Sequence, residues 1–253
     1  MDIISINMSD SGLDGQGIKT LLHELAEAET PVVFKHGISK MDRQQWYRFL
    51  EQECELIPDK RHFDSTESLQ IRDWWEISYQ PEKAQSYAYS STRQPLHTDN
   101  AWFADPADLN FFVMHKQAKT GGEQTIYPLS RLMDDLQSTS PELFRDLTSI
   151  PVTIKKGDGA EEHITTIIKP GNSPSIFWNY YRTQKNTADI EKMCQAFFEF
   201  LAEQENTSAV LTLPSETGDC FVFNDAKLLH GRNAFSASKA LDRVLFQSMW
   251  RIQ

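Results

Sequence analysis

The sequence predicts one mainly β domain, a sandwich or barrel, with α-helices on its flanks. Three observations carry this. Short apolar or alternating runs recur from Ile71 to the C-terminus, helix-period patterns gather at the front and in two later interruptions, and no repeat or linker divides the 253 residues. A chain of this length has enough residues for one large domain with a sizeable core.

In chain order, Ile18, Leu21, Leu22 and Leu25 form one stripe at helical spacing over residues 16–29, and Val32, Val33 and Phe34 follow Pro31 as a short strand. Ser39 is expected to cap a second helix, which turns Met41, Trp46, Phe49 and Leu50 inward until Pro58 stops it. Gly12, Gly15 and Gly17 lack a βαβ context and read as a loop rather than a dinucleotide site. Strand signals follow at 109–115, 150–155, 163–168, 175–178 and 209–213. Ser140-Pro141-Glu142 starts one inserted helix, and residues 187–204 place Ile190, Met193, Cys194, Phe197, Phe198 and Leu201 on one face of another. Both are expected on the outside of a sheet. TGDCFVFND after Pro214 is a turn feeding a buried strand, and RVLFQSMWR is the last strand. Residues 1–60 are thus a helical flank, and 70–253 a β core with a helical insertion near 187–204. Trp74-Trp75 and the run Phe177–Arg182 read as core and rim, and Glu161-Glu162 and Glu203 to Glu205 as solvated faces.

Composition removes several functions. The net charge of -11 repels phosphate backbones and anionic lipid, so nucleic acid and membrane surfaces are not expected partners. Cys54, Cys194 and Cys220 are distant, odd in number and without a CxxC pair, which fits core thiols in a reducing cytoplasm. No run approaches the ~20 apolar residues of a membrane span. A small molecule is the expected partner; the oligomeric state is not legible.

The chemistry starts from seven histidines. Among 36 acids, about one His-x-acid pair arises by chance, so His97-Thr98-Asp99 needs its context. In extended backbone His97 and Asp99 project to one face while Thr98 points away. His230, after the strand FVFND and before Gly231, is the candidate for a second imidazole. Two imidazoles and one carboxylate leave open positions on a metal, the arrangement of non-haem Fe(II) oxygenases.

Four segments, QPLHTDNAWF (94–103), TGGEQTIYPLSRL (120–132), GDCFVFNDAKLLHGRNAF (218–235) and DRVLFQSMWR (242–251), resemble in order and spacing the taurine dioxygenase and clavaminate synthase-like superfamily of Fe(II)/2-oxoglutarate oxygenases. The resemblance implies a single oxygenase domain over 1–253 folded as a double-stranded β-helix, or jelly roll, with Fe(II) held by His97, Asp99 and His230. It also implies that Arg243, 13 residues after His230, grips the distal carboxylate of 2-oxoglutarate, as a guanidinium fork can and a lysine cannot. The family's Gly-Gly-x-Thr is shifted here, with Gln124 standing before Thr125 after Gly121-Gly122-Glu123. Since one residue flips the face of a strand, either a bulge returns Thr125 to the cosubstrate or Gln124 replaces it. Where the taurine branch has a second arginine, this chain has Gln247, which argues against a sulfonate substrate held that way. Gln247, Trp178 at the end of a pocket-lining strand, and Arg182 as the cation for an acidic group are the candidate substrate contacts.

The implied activity is oxidation of a C–H bond in a small polar metabolite, an amino acid or natural-product intermediate, driven by O₂ and decarboxylation of 2-oxoglutarate to succinate. Hydroxylation is the expected outcome, ahead of desaturation or ring closure; Asp99 as a ligand speaks against chlorination. The rival readings are a silent jelly-roll binding protein and a zinc hydrolase on the same three ligands.

Overall fold

Strand residues alternate between two faces, and among the described residues the alternation builds two main sheets that share an apolar layer, beside three two-stranded ones. The computed structural model describes residues 3–9, 14–63, 68–157 and 162–252. The larger sheet has seven strands. Ile4–Asn7, Val32–Lys35, Cys220–Asn224, Leu109–Lys116, Val244–Arg251 and Ile57–Asp59 lie in that order, and Trp75–Ser78 also pairs with Val244–Arg251. The smaller sheet has four, in the order Leu211–Thr212, Gln124–Pro128, Leu228–Arg232 and Gln94–His97.

Leu109–Lys116 shows how one strand serves two layers. Phe112 and Met114 join Phe221, Phe223, Ile126 and Leu228 in a cluster drawn from both sheets. Phe111 and Val113, one residue out of phase, enter a second cluster with Ile18, Leu22, Trp46 and Leu50 of the front helices. A third cluster covers the smaller sheet, where Tyr127 and Leu229 meet Leu132, Leu136, Leu147, Phe197 and Leu201 of the later helices. Trp46 anchors the front layer: it is fully buried, donates its indole N–H to Gly37 O at 3.0 Å, and lies 5.1 Å from the Phe111 ring. Trp46→Ala should cost about 3–5 kcal/mol, read as a shift in the denaturant midpoint.

The helices depart from expectation in instructive ways. Ser39 does not cap; it sits inside the short helix Gly37–Lys40. The cap is Asp42, whose side chain accepts from Gln45 N while Gln45 accepts from Asp42 N, each at 2.8 Å. That capping box starts Arg43–Arg48, which continues as a π-helical turn, Phe49–Glu53. Pro58 lies in the edge strand Ile57–Asp59, where a missing donor is tolerated. Gly15 and Gly17 belong to the first turn of helix Gly15–Glu24, capped by Asp14, not to a loop; Gly12 and Glu161 lie outside the described residues. The inserted helices are Pro141–Ser149 and Ala188–Gln204, the second capped by the Thr187 hydroxyl. Leu129–Thr139 is a further helix that strand patterning does not find, although Leu129, Leu132 and Leu136 carry its buried stripe. No described helix is long and apolar enough to cross a membrane.

Candidate functional site

Strand register, not sequence distance, assembles the site. His97 ends the strand Gln94–His97, and its cross-strand partner is His230 in Leu228–Arg232. The two imidazoles stand 4.3 Å apart between centroids. Gly231 makes this approach possible, since a Cβ there would meet Gln94 O at 2.8 Å and Thr125 Oγ1 at 2.9 Å. Asp99 lies in the turn after the first strand, because Thr98 turns away to exchange hydrogen bonds with the backbone of Trp178. The Asp99 carboxylate comes within 3.4 Å of His97 Nε2 and 3.5 Å of His230 Nε2. Among the described residues these three form the group able to hold a metal ion, with ligand atoms within 4.8 Å of one another.

Their surroundings fit a divalent cation. His97 Nδ1 faces Pro95 O at 2.9 Å and His230 Nδ1 faces Asp225 Oδ1 at 2.7 Å. Acceptors at both Nδ1 atoms select the tautomer that leaves each Nε2 lone pair for a ligand. In the metal-free geometry His97 Nε2 accepts from the Gln94 amide at 3.0 Å. The second Asp225 oxygen accepts from Asp99 N. Burial alone would pull His230 down, but Asp225 and Asp99 outweigh it and lift the imidazole to about 10. Asp99 resists the upward push of its own burial because His230 and His97 hold it well below the usual carboxylate range. Two acids around one imidazole, Asp225 buried and Asp99 half-buried, form a pocket of negative charge that a cation neutralises.

The site opens into a cavity of about 780 Å³. Arg243, 1% exposed, lines it from the residue just before the strand Val244–Arg251. Its Nε donates to Gly122 O at 3.2 Å, and a Cβ on Gly122, whose φ is +81°, would stand 3.1 Å from Arg243 Cδ and Nε. Gly122 is therefore required by the arginine packed on it, and Gly121, whose φ is +78°, by the Ala234 carbonyl oxygen that a Cβ there would overlap. Gln124 also lines the cavity; in the amide orientation that satisfies both neighbours it accepts from Arg243 Nη2 at 3.2 Å and donates to Gly231 O at 2.6 Å. The register of Gln124–Pro128 against Leu228–Arg232 is continuous. No bulge turns Thr125 inward, so it stays off the cavity wall while Gln124 is on it. Burial, then repulsion from Arg232, presses the Arg243 guanidinium down to about 9.

Gln247 lines the cavity, but its amide is engaged by the metal centre: Nε2 donates to Asp99 Oδ2 at 2.7 Å and to Asn110 Oδ1 at 3.2 Å. Arg182 is on the wall as well, with Asn179, Tyr180 and Tyr181. Trp178 is a correction. It is fully buried, its ring lies 4.7 Å from Phe197 in the helix layer, and it is not among the lining residues. The Thr98 contact consumes its backbone and turns the ring away from the cavity. Sequence reasoning missed Asp225, Gln94 and Arg232. Asp225 closes the buried strand segment FVFND and Gln94 stands three residues before His97, so both had a local signal, whereas the Arg232 contacts lie 140 to 145 residues away.

The matches to known proteins agree with this geometry. The family model of the taurine catabolism dioxygenase TauD, TfdA family matches residues 5–250. Gamma-butyrobetaine dioxygenase from Homo sapiens and that from Pongo abelii are each 25% identical over 175 residues, covering 64% of this chain and 45% of theirs. The chain thus spans less than half the length of these curated relatives. Among solved structures, the non-heme iron oxygenase OrfP with Fe and alpha-ketoglutaric acid superposes with TM-score 0.65 at 13% identity, covering 93% of this chain and 79% of that one. OrfP bound to (3S)-hydroxy-L-arginine gives 0.67 at 15%, covering 94% and 81%. Asparagine oxygenase with Fe(II), hydroxyasparagine and succinate gives 0.55 at 16%, covering 71% and 56%. At such identities the superpositions speak for the fold, and the family match across nearly the whole chain settles membership: this protein belongs to the taurine catabolism dioxygenase TauD, TfdA family.

Proposed function

We propose that the protein is an Fe(II)- and 2-oxoglutarate-dependent dioxygenase that hydroxylates a C–H bond of a small polar metabolite, an amino acid or a related natural-product intermediate. The two sheets are then the walls of a double-stranded β-helix, in one oxygenase domain. One observation carries the reading: two imidazoles and one carboxylate converge within 4.8 Å on a cavity that a buried arginine also lines. Iron bound there supplies the O₂ activation that side chains lack, with 2-oxoglutarate as the reductant that leaves as succinate and CO₂.

The chain's own residues bind, orient and exclude water. His97, Asp99 and His230 would hold the metal beside the cavity they line. Asp225 and Pro95 O fix the imidazole tautomers, and Gln247 fixes the Asp99 carboxylate. Arg243 and Gln124 receive the distal carboxylate of 2-oxoglutarate. Arg182 at the wall offers a cation to an acidic group of the substrate. An amino-acid substrate is supported by the hydroxy-amino acids held by OrfP and asparagine oxygenase. A zinc hydrolase finds less support, because Asp99, the sole carboxylate among the described lining residues, belongs to the metal-holding group itself. Three buried free thiols support a reducing, cytoplasmic setting.

The test is succinate formation from 2-oxoglutarate with Fe(II) and O₂ across a panel of free amino acids. The reading expects at least one to raise succinate and to gain one oxygen atom. Absence of succinate under every combination, primed or unprimed, contradicts it.

A further inference from the structure

A second buried guanidinium stands beside Arg243, and the proposed function leaves it without a task. Arg232 is 2% exposed and lines the same cavity. Its Nη1 donates to Tyr87 O at 3.2 Å and its Nη2 to Ser90 O at 3.0 Å and Thr92 O at 2.8 Å; Nε has no partner. All three acceptors are neutral carbonyls, so the charge is held but not neutralised. They belong to one segment, residues 81–92, between the strands Trp75–Ser78 and Gln94–His97. This strap puts Lys83, Gln85, Ser86, Tyr87, Ala88 and Tyr89 on the cavity wall. Elsewhere it is tied by Phe235 N to Ser91 O at 3.0 Å, and at the mouth by the Tyr87 and Tyr181 hydroxyls at 2.9 Å.

Arg232 and Arg243 lie over the same Phe235 ring, at 5.1 and 5.7 Å from its centroid. Seating the strap therefore buries one cation next to another. With the strap lifted, water solvates Arg232 and screens the pair; with it seated, the repulsion acts at low dielectric. A carboxylate arriving at Arg243 removes much of that cost. We propose that Arg232 is a positioning residue that couples carboxylate binding at Arg243 to seating of the 81–92 strap over the cavity. The inference rests on the cosubstrate site proposed above and adds a linkage: the cosubstrate favours the seated strap, and the seated strap favours the cosubstrate by the same factor.

Hydrogen exchange of the strap amides tests this in the Fe(II)-loaded protein under anaerobic conditions, with and without saturating 2-oxoglutarate, formation of the complex being followed in the same sample by its visible absorbance. Protection of 81–92 should rise about tenfold on binding. Arg232→Met should weaken 2-oxoglutarate binding by a comparable factor. Arg232→Lys, which keeps the charge but loses the three-carbonyl fork, should exchange fast with or without ligand. A merely structural arginine predicts faster exchange in both variants but unchanged 2-oxoglutarate affinity, which overturns the proposal. So does unaltered strap protection in the wild-type protein while the complex forms, a measurement that needs no variant to fold. If no complex forms, the cosubstrate reading falls and the coupling with it, so the two failures are told apart.

Discussion

The two sheets contribute to the cavity in different ways. The smaller sheet brings together His97 and His230, far apart in sequence, by direct cross-strand pairing, and closes the group with Asp99 from the adjoining turn. The larger sheet carries Gln247 within its strand Val244–Arg251 and Arg243 on the residue just before that strand, four residues away. Among the described residues Arg243 hydrogen-bonds to Gly122 O and Gln124 and faces the cavity, whereas the Gln247 amide is spent on Asp99 and Asn110. One sheet holds a point; the other spans a length, with the His97, Asp99 and His230 group at the Gln247 end and the buried Arg243 at the other.

Breaking the smaller sheet's contribution should have the largest effect. Ala at His97, Asp99 or His230 removes one of three ligands from the metal, and succinate production should fall by at least about 10³-fold with the thermal midpoint little changed. Arg243→Met strikes the larger sheet alone. It should raise the 2-oxoglutarate concentration needed for half-saturation about 100-fold while iron binding survives, as anaerobic titration would show. Next come the groups that support the metal ligands: Asp225→Asn and Gln247→Ala should each weaken Fe(II) binding about tenfold, measured by competition with a chelator. Gln124→Ala removes one neutral bond from Arg243 and should cost only about threefold in 2-oxoglutarate affinity.

Legibility followed the same division. Features that lie within one short run were readable: the face shared by Arg243 and Gln247 and the buried run Cys220–Asn224. The histidine pair was readable only as a candidate, since which of seven histidines meets His97 is decided by register between Gln94–His97 and Leu228–Arg232. The choice between Gln124 and Thr125 depended on a bulge that no local signal reports. Trp178 was misplaced because its direction is set by Thr98, 80 residues away. The cap at Asp42 was overlooked in favour of Ser39, although Gln45 three residues on completes the box that identifies it. Helix Leu129–Thr139 escaped because its first turn follows a strand without a polar cap.

The most direct test of the division between the sheets is an anaerobic titration of the Fe(II)-loaded protein with 2-oxoglutarate, read by visible charge-transfer absorbance. The account predicts a band that saturates at one 2-oxoglutarate per iron in the wild-type protein. In His230→Ala the band should be lost, and in Arg243→Met it should return at about 100-fold higher 2-oxoglutarate. A band that persists in His230→Ala, or that forms in Arg243→Met at the wild-type concentration, would contradict it.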